Sequence, residues 1–396
     1  MNILFLTLGH IYDLKDRDIY TDLMREFIRN GHNVTIVTPY EHYLGLATAL
    51  YFSQGAKILA IKTLNIQKAN NIEKGVGTLL LGCQYKRAIK KYLKADDFDL
   101  VTYSTPPITL SSVVKFCKKK FGAASYLQLK DIFPQNAVDV GLLKKDGLLY
   151  KYFRVKEKQL YNISDFIGCM SPANVEYVLK HNPELDSLRV HICPNSIEIW
   201  PHEVLNHDLV RNKFNLPVDK PIFLYGGNLG KPQGIEFLIN CLNEMKERTD
   251  CHFLIVGNGI ESKKLDDWIS KVEPRNITKI KYLPKTDYYK VVASCEGGLI
   301  FLDYRFTIPN FPSRLLPYLE YKIPVICATD TSSDIGRIVE ENGFGFWCES
   351  KDPSDFVKCV DRMLSMDIKS LGVKGYQFLC DNYLVENTYH VIISHV

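Results

Sequence analysis

Asn2-Ile3-Leu4-Phe5-Leu6-Thr7-Leu8-Gly9-His10 opens the chain after Met1 and carries the first fold signal. The run is mostly apolar up to the glycine and shows no polar alternation, the pattern of a strand buried on both faces. Behind it Leu23, Met24, Phe27 and Ile28 recur at helical spacing, with Thr21 as the expected N-cap. Gly31 sits where a helix C-terminus favours glycine, and residues 34–37 give a second strand. Strand, helix and strand on short connections make a βαβ unit, which requires parallel pairing.

The alternation continues outward from there. Residues 98–103, 125–129, 166–170 and 190–192 read as strands, with helices expected over 108–119 and 172–180. It breaks at 197–220, where Trp200, Pro201, Pro217 and several charges interrupt any apolar period, and a domain linker is expected there. A second series follows, with strands at 222–225, 253–256, 277–282, 298–301 and 325–328. Its helices are expected at 235–245, 265–272, 288–293 and 313–321. Two doubly wound α/β domains facing one another across a cleft are the architecture these signals predict. Ligands in such sheets bind beyond the carboxyl ends of the strands, so the informative residues are those that follow strand ends.

Length and composition agree with two domains. The 396 residues are 46 % apolar and 24 % charged, which excludes a disordered or collagen-like chain. The longest apolar runs fall far short of the roughly 20 residues a membrane span needs. The first eight residues lack the basic region and cleavage site of a signal peptide. Eleven cysteines form no C-x-x-C pair and no Cys/His cluster at metal spacing, so reduced thiols in a cytoplasmic protein are expected and no metal site is. The net charge of +4 is uneven: residues 1–197 carry +8 and residues 198–396 carry −4. Such asymmetry suggests an anionic partner for the first half.

Five strand-end segments carry candidate chemistry. Gly9 and His10 follow the first strand, and His10 is the one histidine at a strand end. Asp131 emerges from the 125–129 strand into Lys130-Asp131-Ile132-Phe133-Pro134-Gln135-Asn136, placed either for cleft chemistry or as a cap. Gly226-Gly227-Asn228-Leu229-Gly230-Lys231-Pro232-Gln233-Gly234 joins a strand to a helix, where glycines admit backbone N–H groups to an anion and Lys231 adds charge. Val256-Gly257-Asn258-Gly259 is a weaker version. Asp303 opens a loop that runs through Pro309, Asn310, Phe311 and Pro312 to Ser313 and Arg314, a hydroxyl and a guanidinium suited to a diphosphate at a helix start. Ser171 is expected as a helix cap. No G-x-S-x-G elbow supports hydrolase chemistry.

In this order the segments resemble family 4 of the retaining glycosyltransferases, the group 1 glycosyltransferases of GT-B fold. The resemblance runs from residue 1 to about 385 and includes Arg29-Asn30-Gly31-His32-Asn33-Val34, Pro194-Asn195-Ser196, and Tyr321-Lys322-Ile323-Pro324-Val325-Ile326. The Asp131-Ile132-Phe133-Pro134 form looks most like enzymes of capsule and O-antigen synthesis. It implies an acceptor domain over 1–197, a nucleotide-sugar domain over 198–375, and a last helix within 376–396 that returns to the first domain. The nucleotide base is implied near Leu283, and the diphosphate near Gly227, Asn228, Lys231, Gln233, Ser313 and Arg314. The sugar is implied near Pro309, Asn310 and Phe311, with Gly9 and the catalytic candidates Asp131 and His10 on the other domain. No cofactor or metal is implied, since cations and helix dipoles stabilise the departing diphosphate.

Three departures stand out. Pro309 and Pro317 occupy the places of the family's paired glutamates, which leaves Glu320 as the nearby carboxylate for the ribose. Pro317 is also expected to make the first helical turn irregular. Asn228 and Gln233 replace its Arg and Lys, and the first loop carries Asp16-Arg17-Asp18 in place of Gly-Gly. The implied partners are a nucleotide-sugar donor, UDP favoured, and a polyprenyl-diphosphate-linked or saccharide acceptor at the inner face of the plasma membrane. Residues 73–94, where Val76, Leu79, Leu80, Leu81 and Ile89 mix with Lys86, Arg87, Lys90 and Lys91, are expected to form an amphipathic surface helix against anionic lipid. A nucleotide-sugar 2-epimerase and a non-catalytic nucleotide-binding subunit are the alternatives. Nucleic acid is set aside, because no known binding module is visible.

Overall fold

The computed structural model describes all residues except Lys68, Asn70, 202–204 and the side chains of Asn71 and Ile72. Three residues of the expected linker, His202, Glu203 and Val204, therefore lie outside the described residues. The chain divides into two compact units: Met1–Glu198 with Leu384–Val396, and Ile199–Tyr383.

Unit 1 is built on an eight-stranded sheet. Its strands are β1 (Asn2–Leu6), β2 (Asn33–Glu41), β3 (Ala49–Ser53), β4 (Ala56–Thr63), β5 (Leu100–Ser104), β6 (Ala124–Leu129), β7 (Phe166–Cys169) and β8 (Val190–Ile192). The order is β3-β4-β2-β1-β5-β6-β7-β8, parallel throughout except for the β3–β4 pair. The order reverses at β1 and β5, so the switch point that attracts ligands lies beyond Leu6 and Ser104. Ile3 to Leu6 are completely buried, as a two-sided interior strand demands.

Several local expectations change. The first helix, Ile19–Arg29, is capped by Asp18, whose carboxylate accepts from Tyr20 N at 3.0 Å. Thr21 lies inside the helix and bonds back to the Asp16 and Asp18 carbonyls. The Asp16-Arg17-Asp18 triplet thus serves the helix start, and Arg17 donates to the Glu198 carbonyl. The β3–β4 hairpin is an addition to the expected pattern. Its two-residue turn, Gln54-Gly55, has φ of 46° and 84°, the left-handed pair that matches the twist of a tight hairpin. Ser171 stands at the N-cap of the helix Pro172–His181, as expected, but its hydroxyl bonds the Asn174 side chain rather than a backbone N–H. The final stretch is two helices rather than one, Ile368–Asn382 in unit 2 and Val385–Ile393 in unit 1. Val385, Tyr389 and Ile392 of the latter join Phe5, Leu23, Met24 and Phe27 in the core, and Tyr389 Oη meets His32 Nε2 at 3.0 Å.

Unit 2 carries β9 (Ile222–Gly226), β10 (His252–Val256), β11 (Ile277–Ile280), β12 (Gly297–Phe301), β13 (Val325–Thr329) and β14 (Gly345–Glu349). All pair in parallel in the order β11-β10-β9-β12-β13-β14, a doubly wound sheet that switches between β9 and β12. The charged stretch before β9 is not an open connection. Helix His207–Lys213 lies within it, and buried Arg211 bonds the carbonyls of Ser294, Pro217 and Lys220 and the Glu296 carboxylate. One arginine with five donors organises a segment whose apolar content is too low to fold by burial.

Candidate functional site

The clearest site grows from the switch point of unit 2. At the end of β9 the backbone turns through Gly227, φ 136°, and Gly257 follows β10 with φ 157°. A Cβ on Gly257 would stand 1.9 Å from the Gly227 carbonyl oxygen, so the two loops can touch only as glycines. Gly227 N bonds Val256 O and Leu229 N bonds Asn258 O, at 2.9 Å each. Tyr318 Oη accepts from Gly226 N at 3.1 Å and donates to Leu224 O at 3.0 Å, which pins the last turn of β9.

Arg314 enters this corner. Its guanidinium lies over the Tyr225 ring, 4.7 Å from the centroid, and Nη1 is buried with no hydrogen-bond partner. Nη2 lies 3.4 Å from where a Cβ on Gly227 would be. The pKa of Arg314 is raised: burial opposes the charge, but Tyr225, Tyr318 and Tyr288 around it favour the cation. A buried cation with no carboxylate and an idle N–H is an arrangement that an anion completes.

The loop between β9 and the next helix supplies the other wall. Gln233 Oε1 accepts from Gly230 N (3.2 Å) and from Asn228 Nδ2 (3.4 Å), so both residues aligned with the family's cations hold the loop's shape. Lys231 has no ion pair among the described residues, leaving it free to meet a ligand. Asp303 N bonds Pro232 O at 3.0 Å, which joins this loop to the end of β12. The Asp303 carboxylate is taken by Arg305 in a two-pronged bond, 2.8 and 2.7 Å, and is not a free base. Beyond it Asn310 N bonds Ser333 Oγ at 2.8 Å, so Pro309, Asn310 and Phe311 are anchored to the loop after β13.

Ser313 is exposed and its hydroxyl has no partner among the described residues, yet it is not a helix cap. The helix runs Leu315–Glu320, preceded by tight turns in which Leu315 N and Leu316 N reach the Pro312 and Ser313 carbonyls. Pro317 is therefore the third helical residue, where its missing N–H has no intrahelical partner to lose. Glu320 is not brought into this corner. It is 2 % exposed at the other end of the helix, its carboxylate accepting from Trp200 N at 3.5 Å and lying near Tyr376. Leu283 follows the edge strand β11, half-buried beside Tyr282, which is 76 % exposed.

Unit 1 holds the other candidates at the ends of its strands. Gly9 N bonds Thr7 Oγ1 at 2.8 Å, and His10 Nε2 meets Glu41 Oε1 at 3.2 Å. Glu41 is wholly buried and also accepts from Ile66 N and Gln67 N. The His10 ring stacks on Tyr12 at 5.6 Å, and Tyr43 and Tyr40 complete an aromatic group. Asp131 is held at the end of β6 by Asn136 Nδ2, 2.7 and 2.8 Å from its two oxygens. Burial pushes its pKa from 3.8 up to about 6, against the opposing pull of Asn136. His10 and Asp131 follow β1 and β6, which β5 separates, and no hydrogen bond or ion pair joins them among the described residues.

The raised Asp131 pKa has a testable sign. The folded protein keeps a proton there that the unfolded chain has released, so this group stabilises below pH 4 and loses that contribution as pH rises through 6. Asp131→Asn is expected to match the wild type near pH 4 and to exceed it by about 2–3 kcal/mol at pH 7, the equivalent of about two pKa units. Thermal melts at the two pH values check this; an equal difference at both would remove the assignment.

Residues 206–374 match the family of glycosyl transferases group 1. The chain is 24 % identical over 298 residues to the probable glycosyltransferase WbjE of Pseudomonas aeruginosa, covering 75 % of this chain and 74 % of that one. Most of unit 2 is therefore similar to the group 1 glycosyltransferases. The chain is also 21 % identical over 360 residues to the putative colanic acid biosynthesis glycosyl transferase WcaI of Escherichia coli K12, at 86 % of both chains. Its fold is that of sucrose-phosphate synthase from Thermosynechococcus elongatus, with TM-score 0.78, 15 % identity, and 100 % of this chain on 98 % of the other. It is likewise that of Anabaena Alr3699/HepE, solved in complex with UDP and glucose, at TM-score 0.71, 12 % identity and the same coverage. The architecture is GT-B.

Sequence reasoning missed the residues that shape the corner around Arg314. Tyr225, Tyr288 and Tyr318 come from three elements; Tyr225 ends the expected 222–225 strand and Tyr318 lies four residues beyond Arg314, but nothing local marked either as facing the guanidinium. Glu41 was missed because its partner His10 is 31 residues away. Asn136 was visible as the last residue of the quoted loop.

Proposed function

We propose that the chain is a group 1 glycosyltransferase that transfers a sugar from UDP, with retention at the anomeric carbon, to a lipid-linked or saccharide acceptor of a bacterial surface polysaccharide. The observation that carries the reading is Arg314, buried on Tyr225 beside Gly227 with Nη1 unpartnered, where a nucleotide diphosphate supplies the missing acceptor. Lys231, the Ser313 hydroxyl and the amides of the Gly227 loop add to it. The likeness to a fold solved with UDP and to WcaI supports the donor and the polysaccharide setting.

The chemistry follows from charge. As the bond between the anomeric carbon and the diphosphate oxygen lengthens, negative charge grows on the leaving group and Arg314 and Lys231 stabilise it. The acceptor oxygen bonds the same face of that carbon, and its proton passes to the departing phosphate oxygen. No protein nucleophile and no metal enter this reading. Asp131, His10 and the tyrosines around His10 belong to unit 1, the proposed acceptor domain. Aromatic faces of that kind suit a pyranose ring.

Incubation with UDP- and GDP-sugars tests the proposal. Release of UDP, with the product's anomeric configuration matching the donor's by NMR, is the expected result. Isomerised nucleotide-sugar would favour the epimerase instead, and no turnover of any donor would leave only a binding subunit.

Membrane association is the second part. Helix Asn71–Tyr92 turns Leu81, Tyr85 and Ile89 inward and leaves Val76, Leu79 and Leu80 about half exposed, followed on the outer face by Arg87, Lys90 and Lys91. None of the described helices is long and apolar enough to cross a membrane. Flotation with anionic vesicles is expected to carry the wild type and to lose a variant with Lys86, Arg87, Lys90 and Lys91 changed to glutamate. Equal flotation of both would end the lipid reading.

A further inference from the structure

Apart from the corner at Arg314, unit 1 contains a second unpartnered cation. Tyr20, Gln128, Lys130, Asn195, Ser196 and Thr388 line a small hollow beyond the ends of β6 and β8. Its free volume is about 10 Å³, enough for one oxygen-sized group. Lys130 N is fixed by Thr105 Oγ1 at 3.0 Å, but its ammonium has neither carboxylate nor hydrogen-bond partner among the described residues. The neighbouring Asp131 is no counter-ion, since its carboxylate oxygens are taken by Asn136. Apart from Tyr20, the ionisable groups that face the lysine are the thiols of Cys169 and Cys193, and burial pulls its pKa below the ordinary lysine value.

Asn195 adds a second, independent vacancy. It is 7 % exposed, and its Oδ1 is buried without a hydrogen bond. A buried amide oxygen and a covered ammonium around one hollow are costly together, because each has given up water without gaining a partner. A trapped water would satisfy Asn195 and leave the lysine without a counter-charge. A ligand that is anionic and also carries hydroxyls satisfies both.

We propose that this hollow is a subsite for an anionic, hydroxylated group of the acceptor, a sugar phosphate or a sugar carboxylate. One negative oxygen fills the hollow against Lys130 Nζ and Ser196 Oγ, and a hydroxyl of the same ligand, held outside it, donates to Asn195 Oδ1. The inference deepens the transferase reading by giving the acceptor a charge, and it rests on that reading for the ligand's being a saccharide. Thr388 comes from the helix Val385–Ile393, so the last segment of the chain helps to close the subsite.

Titration calorimetry of the full chain with glucose 1-phosphate and, separately, with glucuronate tests it, each with and without saturating UDP. One of the two is expected to bind in the presence of UDP, and which one tells phosphate from carboxylate. Lys130→Met is expected to weaken that binding at least ten-fold. Asn195→Asp, which sets a carboxylate beside the ammonium, is expected to abolish it while raising the melting temperature. Binding of neither probe, or equal binding by wild type and Lys130→Met, overturns the subsite. The donor reading is scored apart from this, by UDP affinity and its loss in Arg314→Met. Failure of one therefore leaves the other measurable.

Discussion

Arg314→Met is expected to lower kcat/KM for the nucleotide-sugar by roughly 10²–10³-fold, about 3–4 kcal/mol of transition-state stabilisation. The guanidinium is the buried cation of the unit 2 corner, and its Nη1 is idle until an anion arrives. Methionine fills the space over Tyr225 and carries no charge. Because the arginine is unpaired in the free protein, its removal is not expected to lower the melting temperature. That separates a functional loss from a folding loss. Arg314→Lys is expected to fall between, as it keeps a charge but loses the planar stack on Tyr225 and the second nitrogen. Wild-type kinetics in Arg314→Met would remove the diphosphate from this corner.

Gly257→Ala is expected to destabilise unit 2 by about 2–4 kcal/mol and to lose nucleotide binding with it. Two effects add at this position. The backbone φ of 157° is unfavourable for a residue with a Cβ, and that Cβ would stand 1.9 Å from the Gly227 carbonyl oxygen. Neither loop can yield without displacing Gly227 from Arg314. Gly343→Ala is the control: φ is 63°, but the nearest atoms to its Cβ belong to the flexible end of Lys374 at 3.5 Å and beyond. It is expected to cost only about 1 kcal/mol, the conformational part alone. Thermal melts and UDP titrations of both variants decide whether close approach, rather than φ, is what the glycine provides.

Much of the scaffold was legible because a parallel sheet writes itself locally. A strand buried on both faces must be a short continuous apolar run, and all eleven expected strands are present. Three strands, β3, β4 and β14, were missed, the first and last for identifiable reasons. β3 alternates in exposure and forms a hairpin at an edge, so its signal lay in the Gln54-Gly55 turn rather than in apolar content. β14, Gly345–Glu349, is a five-residue edge strand of the unit 2 sheet that opens on a glycine and ends on a charged residue, too short an apolar run to stand out. The sequence likewise marked the glycine-rich loop, Asp131, Lys231 and Arg314, since each follows a strand end.

By itself, then, the sequence determined two doubly wound series and the segments at their carboxyl ends, through periodicity that each residue reads from near neighbours. Which of those residues are satisfied is settled by packing. Asp303 is consumed by Arg305, Asn228 and Gln233 by their own loop, and Glu320 by Trp200 N, whereas Arg314 and Lys130 are left without a counter-charge. Ion pairing and burial depend on groups far apart in the chain. The charge left over after folding, which is where an anionic ligand binds, is therefore a property of the packed molecule rather than of any stretch of sequence.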